Sequence, residues 1–238
     1  MGQLPSFPPD ASAAEARALL TEANWRQIGA GDWSWAFADS TDALAVRVTP
    51  FDPGYRMFAR DCLNGPANRW LPEVVEILPL RRDGYVVLME RLWPAEARAA
   101  SAFCAALGIA NETGAGPPTA GPEVDADEPD LTALRPRIRR LLEEARSRYG
   151  RFAKCDIREG NMMVDRGGRL KLIDPVGVGG WMIAEALRQE RADLVKDFTR
   201  VQVEDFLTIA FFGPGREGES ERDELLVKAG RLFGTGGN

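Results

Sequence analysis

Cys155-Asp156-Ile157-Arg158-Glu159-Gly160-Asn161, with Asp174 following thirteen residues later in Leu172-Ile173-Asp174-Pro175, decides how this chain is read. It places an acid, an amide and a second acid at 156, 161 and 174. Between them, apolar runs at 162–164 and 170–173 flank Asp165-Arg166-Gly167-Gly168, which predicts a β-hairpin. Each polar residue alone has an ordinary use: Asp156 as a cap, Asn161 as a turn residue before a strand, Asp174 as the start of a turn before Pro175. Together they are hard oxygen donors of the kind magnesium takes, beside a carboxylate able to orient a hydroxyl. Phosphoryl transfer needs that pairing, because charge on the phosphate oxygens must be neutralised while the nucleophile is held.

Composition narrows the chemistry further. The chain has 238 residues, 45% of them hydrophobic and 28% charged, enough for one large domain or two small lobes with a core. There is no histidine, which removes Ser-His-Asp hydrolysis, Cys-His proteolysis and histidine-ligated metal sites. Acid–base work therefore falls to carboxylates, Lys, Cys or Tyr. The net charge of -6 gives no overall pull toward nucleic acid or an anionic membrane, although 135–148 is locally basic. Cys62, Cys104 and Cys155 are odd in number and far apart, so the expectation is free thiols in a reducing cytoplasm. The first residues lack the charged start and apolar run of a signal peptide, and no apolar run is long enough to span a bilayer. Lysine occurs only at 154, 171, 196 and 228; the remaining 26 basic residues are arginine.

Periodicity gives a front part of strands and a rear part of helices. Ser12 with Glu15 three residues on predicts a capped helix over 12–23. Short strands follow through 25–48, ending at Pro50. A helix over 52–63 stops at Asn64-Gly65-Pro66. Strands at 73–80 and 85–89 flank a turn with Asp83-Gly84. Helices are expected at 95–107, 131–152, 184–198, 203–212 and 219–232, with a flexible insert over 111–130.

The motif at 156–161 and the Asp174-Pro175 pair resemble the protein-kinase-like fold. The likeness is greatest to its short atypical branch, which holds aminoglycoside phosphotransferases and small phage or bacterial kinase-like proteins; it spans roughly 27–176. The resemblance implies an α+β, bilobal molecule with a β-rich nucleotide lobe over 1–91 and a helical lobe over 92–238. It implies ATP and Mg2+, with Asp156, Arg158, Asn161 and Asp174 catalytic and with Asn161 and Asp174 as the metal ligands. Arg158 would meet the γ-phosphate. In Ile28-Gly29-Ala30-Gly31-Asp32-Trp33-Ser34-Trp35-Ala36, Gly29 and Gly31 let backbone approach phosphate, Trp33 would shield the γ-phosphate, Ser34 stands at the third glycine and Ala36 would roof the adenine. Glu90 and Leu92 would pair with adenine through their backbone. Asp61 would stand in for the acid that pairs with the strand cation. Trp25, Trp70 and Trp181 are expected as core or lobe-packing residues.

The departure from the pattern is Arg47, which stands where the family carries a lysine, and no lysine precedes Lys154. Arginine keeps the charge but is planar and forked, so the phosphate geometry changes. Three readings stay open: arginine does lysine's work, the chain is a nucleotide-binding pseudokinase, or it transfers AMP. The reading preferred at this point is phosphoryl transfer to a protein Ser/Thr hydroxyl, with a small-molecule acceptor as the alternative.

Overall fold

A computed structural model of the chain describes residues 4–109 and 124–234. Helix α1 (Ala13–Glu22) begins at Ser12, whose hydroxyl accepts from the Glu15 N–H while the Glu15 carboxylate accepts from the Ser12 N–H at 2.7 Å. It stops at Asn24, which takes a left-handed φ of 62°. The N–H groups of Asn24 and Trp25 then close back on the Thr21 and Leu20 carbonyls, a Schellman end. Strands β1 (Arg26–Ala30), β2 (Trp35–Ala38) and β3 (Leu44–Thr49) follow, then α2 (Pro53–Asn64), β4 (Val74–Pro79), β5 (Tyr85–Glu90) and the short β6 (Trp93–Pro94). The later part holds α3 (Ala97–Leu107), α4 (Pro129–Tyr149), β7 (Ala153–Cys155), β8 (Met162–Val164), β9 (Leu170–Leu172) and β10 (Val176–Val178). It ends with α5 (Gly180–Arg188), α6 (Leu194–Asp197), α7 (Arg200–Phe206) and α8 (Glu219–Gly234). The chain is thus α+β, with strands concentrated in front and helices behind.

Several boundaries differ from expectation for local reasons. One helix over 184–198 becomes α5 and α6, because Glu190 adopts φ 47° and the Glu190 and Arg191 N–H groups close on the Leu187 and Ala186 carbonyls. In the turn before β5 the left-handed residue is Arg82, at φ 60°, rather than either member of Asp83-Gly84. Most of the insert expected over 111–130 lies outside the described residues, and α4 opens at Pro129 with the Glu128 carboxylate accepting from the Leu131 N–H at 2.9 Å.

Two compact units divide the chain. The first takes the residues up to Asp52, Glu76–Leu88 and those from Gly179 on. Its five-stranded sheet runs β1-β2-β3-β5-β4, with β1–β2 and β2–β3 antiparallel. A bulge between Gln27 and Gly29 shifts the β1 register, so that Gly29 faces Ala36 and Ala36 faces Arg47. Leu20, Trp25, Phe37, Val46, Val48, Val86 and Ala210 form its core. Ala210 belongs to the same cluster as the strands, so the C-terminal residues group with the sheet rather than with a rear lobe starting at 92.

The second unit takes Pro53–Val75 and Met89–Val178. It holds α2, α3, α4, the three-stranded β6-β8-β9 sheet and the β7–β10 ribbon. Its internal brace is an ion pair between Asp61 on α2 and Arg137 on α4, both about nine-tenths buried. Arg137 also donates to the Pro66 carbonyl at 2.6 Å, and Arg140 joins Asp61 from the surface. A Cβ on Gly65 would fall 2.5 Å from the Arg137 Nη2, so the glycine of the expected helix breaker also makes room for this arginine. Asp61 is therefore a helix-bracing acid rather than the partner of the strand cation.

Removing that acid leaves a buried guanidinium uncompensated, so Asp61→Ala is expected to lower stability by about 3–5 kcal/mol in urea unfolding. A pH effect follows from Asp39, in the turn before β3. Burial would raise its carboxyl, but hydrogen bonds from the Leu44 N–H, the Thr41 hydroxyl and the Ala43 N–H outweigh that and pull it from 3.8 to about 2. A folded value below the unfolded one contributes stability above about pH 4 that is lost as the pH falls toward 2. Thermal melts of Asp39→Asn should show a flatter acid limb across that window than the natural chain.

Candidate active site

Within the second unit, β7 and β10 set the 155–161 segment. Their register pairs Val176 with Cys155 and Gly177 with Lys154. The Asp156 N–H continues the ribbon by donating to the Pro175 carbonyl at 2.9 Å, and the Ile173 N–H donates to the Asn161 carbonyl at 2.8 Å. These two backbone bonds bring 156, 161 and 174 to one place although the β8–β9 hairpin intervenes in sequence. Asn161, 7% exposed, then locks them together. Its Nδ2 donates to the Asp156 carbonyl at 2.6 Å, to Asp156 Oδ2 at 3.0 Å and to the Asp174 carbonyl at 3.0 Å. With the amide nitrogen committed, the Asn161 Oδ1 is the atom suited to a cation. Asp174 sits at φ 61°, a left-handed conformation that aspartate tolerates better than most residues.

Arg158 lies 3.1 Å from Asp156 Oδ1, with its side chain more than half exposed. Lys154 and Asp156 flank Gly177: a Cβ there would stand 3.7 Å from Lys154 Cε and 3.6 Å from Asp156 Cβ. Cys155 is buried among the packing groups. Burial pushes the Cys62 thiol up to about 12 and the Cys104 thiol up to about 11, so neither supplies a thiolate near neutral pH.

The strand end at Glu90 belongs to the same unit. The Glu90 N–H donates to the Glu73 carbonyl at 3.0 Å, and the Leu92 carbonyl accepts from Arg91. The Glu90 carboxylate is tied down as well, accepting from the Glu73 N–H at 2.8 Å and lying 3.3 Å from Lys171 Nζ. Lys171 is buried and also donates to the Leu71 carbonyl at 3.0 Å. It holds this strand end in place, a role that sequence reading did not assign to it.

The first unit carries the glycine turn and Arg47. Gly31 N–H donates to the Ser34 carbonyl at 3.0 Å, closing the β1–β2 hairpin, and Ser34 is buried. A Cβ on Gly29 or Gly31 would meet nothing within 4 Å, and neither residue has positive φ among the described glycines. Neither packing nor backbone conformation demands glycine there. Arg47, paired across the strands with Ala36, reaches Asp52 at 2.6 Å. Asp52 is 4% exposed and its carbonyl accepts from the Tyr85 hydroxyl at 2.7 Å. Asp52, five residues past Arg47, is the acid on the strand cation, and the apolar Phe51 beside it was the only sequence hint of a buried connection. Trp33 does not stand clear at the tip of the turn: its ring packs on Phe51 and Phe206. Trp25 and Trp70 are buried, whereas Trp181 is 68% exposed and is not a core residue, since it opens α5 on its solvent side.

No protein-family model matches the chain and no curated protein matches it. Among solved structures it is similar to a thermostable mutant of aminoglycoside phosphotransferase APH(4)-Ia in ternary complex with AMP-PNP and hygromycin B, at 12% identity and TM-score 0.33 over 93% of this chain and 98% of that chain. It is also similar to an apo pseudokinase at 9% identity and TM-score 0.34, over 89% of this chain and 84% of the other. A third likeness is to the CAK complex of Chaetomium thermophilum bound to ATP-γ-S, at 12% identity and TM-score 0.36 over 92% and 78%.

Asn161 is a structural keystone as well as a candidate ligand. Asn161→Ala leaves the Asp156 and Asp174 carbonyls without their shared donor in a buried place. Denaturant unfolding should show a loss of about 1–3 kcal/mol.

Proposed function

We propose that this chain is an ATP-dependent kinase that transfers the γ-phosphoryl group to a hydroxyl. The observation that supports it best is the Asn161 carboxamide, which holds the Asp156 carboxylate and the Asp174 backbone in one cluster of hard oxygens. The open space beside Gly29 and Gly31 supports a nucleotide, because bare backbone there is accounted for by a ligand that must come close.

Magnesium fits the donor set. Among the described residues no group of three or more Cys, Asp or Glu side chains could hold a metal unaided. Magnesium does not need one, since it is commonly held by one or two protein oxygens with phosphate oxygens and water completing the shell. The Asn161 Oδ1 and the Asp174 carboxylate would hold it, and when bound it neutralises charge on the phosphates. Asp156 accepts the hydrogen bond of the incoming hydroxyl and takes its proton as the new O–P bond forms and the bond to the departing ADP breaks. Arg158 is placed to follow the charge: an exposed ion pair such as its contact with Asp156 is worth at most about 1 kcal/mol, so the guanidinium can move to a phosphate oxygen. Arg47, oriented by Asp52, supplies the fixed cation of the nucleotide lobe and presents a fork rather than the point charge of a lysine.

Incubation with γ-labelled ATP and magnesium tests this reading. Label should pass to a hydroxyl-bearing acceptor, and Asp156→Asn should slow transfer by about 10²–10⁴-fold with the fold intact. Label on protein identifies a Ser/Thr acceptor, whereas label on metabolites alone identifies a small molecule. Asp174→Ala should abolish transfer. A thermal shift with ATP but no transfer under any condition would replace the kinase with a pseudokinase. Retention of an α-label on protein would replace it with AMP transfer. In the same assay Arg47→Lys should lose activity, because the shorter ammonium does not reproduce the Asp52 contact from which the arginine is aimed.

A further inference from the structure

We infer that the C-terminal segment latches the glycine turn, so that Gly180 at the start of α5 and Phe206 at the end of α7 act as positioning residues for it. The contacts lie within one compact unit. The Trp33 ring stands 5.6 Å from the Phe206 ring and 6.2 Å from that of Phe51. Those rings are themselves fixed, Phe206 against Phe212 at 5.4 Å and Phe51 against Phe198 at 6.3 Å. Gly180 makes room for the indole: a Cβ there would fall 2.9 Å from Trp33 Cζ2 and 3.4 Å from Phe206 Cε2. Polar bonds hold the same turn from two sides. The Trp33 carbonyl accepts from the Thr49 hydroxyl at 2.7 Å, and the Asp32 carbonyl accepts from the Phe211 N–H at 2.7 Å. Arg216 adds an ion pair to Asp32 at 3.5 Å.

A hairpin tip of Gly-Asp-Trp-Ser with no such anchors would be among the most mobile parts of a sheet. Here an aromatic wedge and one hydrogen bond, from the Phe211 N–H, tie it to residues about 150–180 positions later in the chain, while Thr49 holds it from the neighbouring strand. Trp33 is consumed by that wedge, so it anchors the turn rather than covering a phosphate. The consequence for ligand binding rests on the nucleotide reading proposed above: a turn held in advance loses little freedom when a triphosphate docks, and loosening the latch weakens binding.

The critical pair is Gly180→Ala and Trp33→Phe. The added methyl of Gly180→Ala meets the six-membered part of the indole, which is hemmed in by Phe51 and Phe206 and cannot yield cheaply. It should speed amide hydrogen exchange at 29–34 and weaken binding of a non-hydrolysable ATP analogue roughly tenfold. Trp33→Phe removes the atoms that clash, so the double variant should recover slow exchange and most of the affinity. Phe206→Leu, which keeps an apolar side chain but loses the ring contact, should give the same exchange phenotype and covers the case in which Gly180→Ala does not fold. Unchanged exchange at 29–34 in either folded variant, or a double variant no better than Gly180→Ala, overturns the latch. A natural chain that binds no analogue at all overturns the nucleotide reading instead, and the exchange data then decide the latch independently.

Discussion

The carboxamide of Asn161 carries the organisation of the second unit. One amide nitrogen, with two hydrogens, serves a carboxylate and two carbonyls drawn from segments on either side of a hairpin. Its neighbours could not be held otherwise. Asp174 is in a left-handed conformation, and its chain direction is restored only because Pro175 receives the Asp156 N–H and β10 then pairs with β7. An apolar residue at 161 would leave those carbonyls desolvated without a donor, and a longer amide would push Asp156 away from its place beside Arg158. The Asp156 carboxylate, the Asn161 amide and the Asp174 carbonyl are therefore one cooperative object rather than three groups that happen to be close.

Buried charge is arranged with the same economy. Among the described residues, Arg47 with Asp52 and Arg137 with Asp61 are buried pairs that set element positions, and the buried Lys171 reaches both Glu90 and Asp165. None is expected to add much net stability over an apolar substitute of equal volume, because desolvation offsets the attraction. Removing one partner alone is what costs, because the other is then left buried without compensation. The arginine-rich composition has a physical consequence here: a guanidinium can satisfy a carboxylate and a backbone carbonyl together, as Arg137 does with Asp61 and Pro66, which a lysine cannot do with the same rigidity.

Much of the fold was legible because its signals were local. The capping box at Ser12, the helix break at Gly65, the hairpin turn at Asp165 to Gly168 and the apolar runs of β3 and β5 each depend on residues within a few positions of one another. What misled was equally particular. Asp83-Gly84 looked like the turn-forming pair, yet Arg82 takes the left-handed place. Helix periodicity over 184–198 ran through Glu190, where a Schellman end overrides it. Trp181 carried the apolar weight of a core residue but opens a helix toward solvent. Asp61 was given to the strand cation by the family resemblance, and the three-dimensional partner was an arginine 76 residues away.

The order of residue types around 156–174 by itself narrowed the chemistry to look for: with histidine absent from the chain, carboxylates and an amide at fixed spacing are the groups there suited to a cation and a hydroxyl. The linear spacing also determined the α+β class, since periodicities of two and of 3.6 residues are properties of neighbours in sequence. Tertiary structure alone decided which acid faces Arg47, that Lys171 steadies the strand end at Glu90, and that Trp33 is wedged between Phe51 and Phe206. Those choices depend on which distant surfaces exclude water together, and a one-dimensional pattern records that a side chain is apolar or charged but not which partner it meets.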